Sequence, residues 1–278
     1  MTDFLLSYEP QWRLAVFLGV LILMVIWETA SPCRRQEIPR LIRWSNNLAL
    51  VVVDTALLRL TFPVLAVGLA SYVQKVGWGL FNLLSLPEWV EVLGAMLVLD
   101  FAIYLQHVIF YSVPSLWRLH RMHHADLEFD TTTGLRFHPV EIMLSMAFKL
   151  MVVTALGAPP VAVLLFEIVL NATALFNHGN VSLPTALDRV VRLVMVTPDM
   201  HRVHHSSDPV ETNSNYGFNL PWWDWIFRTY RPVPRLGHQD MQIGIEQFRT
   251  RRELWLDRML FQPLREPAHG AKSDDTTG

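Results

Sequence analysis

Five apolar stretches constrain this chain more than any other feature: Leu14 to Trp27, Asn47 to Val73, Val92 to Tyr111, Glu141 to Leu156 and Val161 to Phe176. In lipid every backbone N–H and C=O must be satisfied within the segment, so each stretch is expected to be a membrane helix. The first is short for a ~20-residue span, but Arg13 can snorkel and lengthen it towards Pro10. Asp3 and Glu9 precede it and Thr29-Ala30-Ser31 is a poor cleavage site, so it reads as a retained helix and not a signal peptide. In the second, Asp54 and Arg59 are placed to face each other, and Pro63 predicts a kink. Gly157-Ala158-Pro159-Pro160 joins the last two as a hairpin that either crosses fully or dips in. Arg34, Arg35, Arg40 and Arg43 place the loop after the first stretch in the cytoplasm, with Lys75 to Glu91 outside.

Composition agrees. Hydrophobic residues make up 51% and charged residues 17%, below the roughly one-quarter usual in soluble domains. A net charge of -2 argues against nucleic acid as a partner. Cys33 is the only cysteine, which excludes intramolecular disulfides and cysteine-bound iron–sulfur or zinc-ribbon centres. Leu187, Val190, Val191, Val194 and Met195 recur at helical spacing and read as an amphipathic helix in the interface. Trp222, Trp223 and Trp225 suit either the headgroup layer or the core of a soluble cap.

Polar residues collect at one end of this scaffold. At about 100° per residue, Asp100, Tyr104, His107 and Tyr111 form a narrow stripe on the third stretch, a line that should face protein. Directly after it come His120, His123 and His124, and the His-x-x-His-His spacing recurs at His201, His204 and His205. On a helix such a triad lies on one side, so three imidazoles can converge, and two triads suggest a polynuclear metal site. Imidazole suits iron, zinc and copper. Asp100 and Asp199 are candidates to accept the second ring N–H of a ligand. With the arginine loop inside, every histidine from His107 to His205 falls at the cytoplasmic face. His238 and His269 read as solvent-exposed.

The order His107…His120-x-x-His123-His124…His201-x-x-His204-His205, with LWRLHRMHH, RFHP and NYGFNLPWWDWIFRTY, resembles the fatty acid hydroxylase/sterol desaturase superfamily from about Asp100 to Tyr230. The resemblance implies an all-α integral membrane protein, a transmembrane helix bundle under a cytoplasmic histidine-rich helical cap. It implies two iron ions, with zinc as a substitute, that use O2 and two electrons to hydroxylate or desaturate a lipid C–H position. It carries His107, His120, His123, His124, His201, His204 and His205 over as metal ligands, with His178 in FNHGN as the additional intervening histidine. His138 of RFHP is a further candidate. One departure stands out: the family's first box is His-x-x-x-His, and here its second member is Tyr111, a conditional ligand that puts occupancy of one metal in doubt.

Three regions follow: membrane helices over 1–91, the hydroxylase-like di-metal domain over 92–235, and a partly disordered tail over 236–278, disordered from Arg265 onward. No flavin, haem or dinucleotide motif is visible, so electrons are expected from a separate cytoplasmic donor protein. Two other readings compete: a family member that binds lipid after losing catalysis, supported by Tyr111 alone, and a zinc membrane hydrolase, which lacks His-Glu-x-x-His and Gly-x-Ser-x-Gly.

Overall fold

A computed structural model describes residues 2–266 and contains helices and loops but no named strand among them. A short α1 (Thr2–Ser7) leads into α2 (Glu9–Ala30), whose Leu14, Leu18, Ile22, Leu23 and Ile26 are exposed along one face, as a lipid-facing helix requires. Near its end Glu28 is buried and accepts the backbone N–H groups of Thr131 and Asn180 at 2.7 and 2.8 Å.

The second apolar stretch is broken where a kink was expected. Helix α3 (Arg40–Thr61) stops, Phe62 is extended, and α4 (Ala66–Lys75) starts anew. Pro63 excludes helical backbone at Phe62 and cannot donate, so the helix ends there. Asp54 and Arg59 do not pair among the described residues: Asp54 is buried, Arg59 exposed.

A turn, α5 (Leu80–Leu83), precedes α6 (Glu88–Ser112), and the extended Val113 separates this from α7 (Pro114–His124). The hairpin is formed by α8 (Pro139–Leu156) and α9 (Pro160–Asn177). Gly157 ends α8 at φ 63°, and a Cβ there would lie 2.6 Å from the Trp78 carbonyl, so only glycine fits. Five segments, Glu9–Ala30, Arg40–Leu83, Glu88–Ser112, Pro139–Leu156 and Pro160–Asn177, are long and apolar enough to cross a membrane. The last four share a core built on Ala66, Ala70, Ala95, Ala158 and Ala162 around Leu164 and Phe166, where the alanines let helices approach closely.

The cap holds α10 (Thr185–Val191), α11 (Pro198–His204), α12 (Pro209–Thr212), α13 (Trp222–Phe227), α14 (Gly237–Asp240) and α15 (Leu256–Phe261). The expected amphipathic helix is shorter than its spacing suggested: α10 ends at Val191, with Leu187 and Val190 exposed on it and Leu193 and Val194 exposed in the turn that follows, while Val191 and Met195 are half-buried. The tryptophans divide: the Trp223 indole donates to Asp100 on α6 at 2.8 Å, whereas Trp222 and Trp225 face outward. Residues after 235 return to the cap. Met241 and Ile243 pack on Phe129, and Met259 packs on Leu50 and Met122. Disorder was expected from Arg265 onward, but Arg265 pairs with Glu253 and its carbonyl accepts from Arg121; residues beyond Glu266, His269 among them, lie outside the described residues.

Candidate metal centre

Each His-x-x-His-His triad splits instead of converging on one point. His107, His120, His124 and His204 bring one ring nitrogen each within 4.8 Å of one another, and so do His123, His178, His201 and His205. Helical geometry explains this: at 100° per residue, positions i and i+4 lie about 40° apart, while i+3 lies about 100° from i+4. Thus α7 sends His120 and His124 to the first set and His123 to the second. In the second triad His201 and His205 go to the second set and His204 to the first. α6 adds His107, and His178 follows α9.

Five of the eight ring orientations are fixed from outside. Nδ1–H of His107 donates to the Tyr216 carbonyl at 2.8 Å, His204 to Ser214 at 2.7 Å, His178 to Ala174 at 2.8 Å and His123 to Arg136 at 3.1 Å. His120 Nδ1–H donates to the Glu141 carboxylate at 2.7 Å. Every one of these rings therefore turns the lone pair of Nε2 inward. Nε2 atoms of His107 and His120 are 3.1 Å apart, those of His107 and His204 3.1 Å, and those of His123 and His178 3.2 Å. Lone pairs facing each other with no proton between them repel, and a shared cation removes the conflict. Nitrogens about 2.0–2.1 Å from one metal lie about 3 Å apart, so the spacing fits. Burial, reinforced by neighbouring rings, pushes His123, His124, His201 and His205 far below the ordinary histidine range, and burial takes His178 and His204 down to about 3. All remain neutral and able to coordinate at physiological pH.

Tyr111 stands at the edge of the first set, its hydroxyl 2.6 Å from His124 Nε2, 3.1 Å from His204 Nε2 and 3.4 Å from Thr212 Oγ1. The set has four histidines without it.

Three expected site residues lie elsewhere. Asp100 accepts from Trp223, because the carbonyl of Tyr216 already occupies the free face of His107. Asp199 accepts from Arg202 at 2.6 Å and Ser182 at 2.9 Å, and makes no hydrogen bond to the ring of His201. His138 caps α8: its Nδ1 accepts from Val140 N–H and its Nε2–H donates to the Leu260 carbonyl, leaving no lone pair for a metal. His238, read as exposed, is half-buried beside Arg202.

Sequence reasoning missed several supports. In RFHP the Arg136 carbonyl orients His123, Phe137 stacks on that ring at 4.5 Å, and His138 starts the helix that carries Glu141. A carboxylate opening an otherwise apolar helix was the available signal for Glu141. Asp224, pushed up to about 6 by burial, accepts the N–H groups of Tyr216 and Gly217, both at 2.8 Å, and so holds the loop that faces His107 and His204. Arg43, counted above as a loop charge, is fully buried: it pairs with Asp126 through bonds of 2.8 Å and with Asp130. Burial opposes ionisation of Asp126, but the Arg43 guanidinium prevails and holds it at about 2. Gly134 lets this turn touch α9, since a Cβ would lie 2.6 Å from the Ala174 carbonyl that orients His178.

A cavity of about 480 Å³ runs from His107, His120, His123 and His201 between α3, α6, α8 and α9. Phe110, Phe137 and Phe218 wall its histidine end, and Arg13, Lys149 and Glu167 lie farther along it.

The Fatty acid hydroxylase family profile matches residues 92–229, which contain all eight of these histidines. The chain belongs to the fatty acid hydroxylase/sterol desaturase superfamily. Ornithine lipid hydroxylase OlsE of Rhizobium tropici is 32% identical over 158 residues, covering 56% of this chain and 46% of that protein. Alkylglycerol monooxygenase of Homo sapiens is 28% identical over 175 residues, 59% of this chain and 36% of that one. Delta(7)-sterol-C5(6)-desaturase of Nicotiana tabacum is 25% identical over 200 residues, 67% and 68% of the two chains. The match thus spans less than half of the first two relatives. No solved structure matches.

Proposed function

We propose that this member of the superfamily is a di-iron oxygenase that hydroxylates a membrane lipid. One observation carries the reading: two complete four-histidine sets, side by side and buried, open into one cavity among membrane helices. When bound, the iron pair supplies O2 activation and C–H oxidation. The balance is lipid C–H, O2, two electrons and two protons giving lipid C–OH and water. The electrons come from a separate donor protein, and the histidine cap faces the cytoplasm, as the arginines between Pro32 and Trp44 suggest.

The chain's own residues prepare the site. Carbonyls of Arg136, Ala174, Ser214 and Tyr216 and the Glu141 carboxylate hold ring orientation. The phenylalanines at the histidine end keep bulk water out, and the cavity aligns the lipid. Hydroxylation is favoured over desaturation by the names of the more similar relatives, hydroxylase and monooxygenase. Loss of catalysis loses its support, because the first set is complete without Tyr111. The hydrolase reading fits poorly too, since catalytic zinc sites use three protein ligands and one open position.

Protein purified under native iron supply should hold two metal ions per chain and, with a reductase and 18O2, form a lipid carrying the label. Unlabelled product, or activity without metal, would overturn the reading. Single cysteines at 37 and 210, in a chain lacking Cys33, should react with a label only from the cytoplasmic side. Reaction from outside would reverse the orientation.

A further inference from the structure

The cavity is too polar for an acyl chain alone. Asp54 is 8% exposed, lines it, and makes no hydrogen bond or ion pair among the described residues. Two more lining residues, both by the histidines, have a buried oxygen without a partner: Gln106, next to His107, and Glu141, whose other oxygen holds His120. A buried acceptor left unmatched costs about 1–3 kcal/mol, and more when charged. Three around one cavity mark where a donor belongs.

Charge narrows the donor. Arg13 and Lys149, cations farther along the cavity, are committed to Glu167, and Arg13 also to Glu9. Arg59 is exposed and does not pair with Asp54. Asp54 therefore lacks a counter-ion in a cavity where an uncompensated carboxylate is costly. A hydroxyl would satisfy its hydrogen bonds but supply no counter-charge; an ammonium supplies both.

Position narrows the rest. Leu50, one turn before Asp54 on α3, packs on Met122, the neighbour of His123. Asp54 thus lies about 6 Å along the helix from a residue that braces the histidine helix. Val51, Leu58, Ile103, Met146 and Leu170 give the cavity an apolar wall for a tail.

Resting on the oxygenase reading for the site it serves, we propose that Asp54, with Gln106 and Glu141, binds the primary ammonium of a lipid head group, so that the oxidised C–H lies in or beside the head and not along the acyl tail.

The full-length chain in nanodiscs, metal-loaded, tests this through thermal stabilisation by dodecylammonium, dodecyltrimethylammonium, dodecanol and dodecanoate. The primary ammonium should bind at least tenfold tighter than the trimethylated cation, which carries charge but no N–H, and tighter than dodecanol. Asp54→Asn should lower its affinity tenfold or more and leave dodecanol unchanged. Equal binding of the two cations, or of ammonium and alcohol, overturns the proposal with the wild-type chain alone, whatever the folding of the variant. Labelled lipid formed without ammonium preference sinks this inference and spares the oxygenase reading. Ammonium preference without oxygen insertion does the reverse.

Discussion

Replacing Glu141 with Gln should weaken metal binding in one histidine set and leave the other intact. The carboxylate accepts from His120 Nδ1 at 2.7 Å, and both side chains are almost fully buried. A hydrogen bond to a charged group in such a place is worth about 1.5–3 kcal/mol, and loss of a partner behind a ligating histidine costs about 10–100-fold in metal affinity. The glutamine oxygen can still accept from Nδ1–H, so Gln should fall near tenfold, about 1.4 kcal/mol. Glu141→Ala leaves a buried N–H with no acceptor and should approach the upper figure. His120 belongs to the first set alone, so release to a competing chelator should become biphasic, the tighter phase matching wild type. Asp100→Asn and Asp199→Asn serve as controls, because neither carboxylate touches a ring in the sets. Unchanged affinity in Glu141→Gln, or equal weakening of both phases, would refute the reasoning.

Tyr111→Phe should keep both metal ions and lower turnover modestly, since the tyrosine adds a hydrogen bond to a set of four histidines; a tyrosinate-to-iron absorption band lost in the variant would show that the phenolate is instead a ligand. Acidification should destabilise the metal-free chain: His178 and His204 titrate at about 3 when folded against ~6.5 when unfolded. Their contribution is complete above pH ~6.5 and is lost as pH falls towards 3, because the unfolded chain takes up protons first. Denaturant midpoints that do not drop between pH 7.5 and 5.5 would contradict this. Asp224→Asn turns an amide towards two backbone N–H donors and should cost about 1–3 kcal/mol of stability. A melting temperature equal to wild type would show that the loop holds its shape otherwise.

The membrane helices were legible because lipid admits few backbone solutions, and Gly157 and the prolines around it announce their turn. All eight histidines were legible through spacing and resemblance. Their division into sets was not read, although the 100° rotation contains it, because three rings on one side of a helix were taken as one target. Asp100 and Asp199 misled for another reason. Nearness in sequence places a carboxylate on the chain, but the face of a ring is claimed by whichever acceptor the fold delivers, and here four of five are backbone carbonyls without a sequence signature. Arg43 shows the converse: the positive-inside rule counts a charge without knowing that Asp126 and Asp130 will bury it.

The crossed allotment of the triads makes α7 and α11 behave like meshed gears. α7 gives two ligands to the first centre and one to the second, and α11 gives one and two, so a rotation of either helix shifts ligands in both. Rotation of either helix therefore moves ligands of both centres, so the separation between them is inherited from helical pitch, whereas an acceptor behind one ring, such as Glu141, acts on its own centre. Drift of sequence around the histidines can therefore alter what enters the cavity while the distance between the two centres stays fixed.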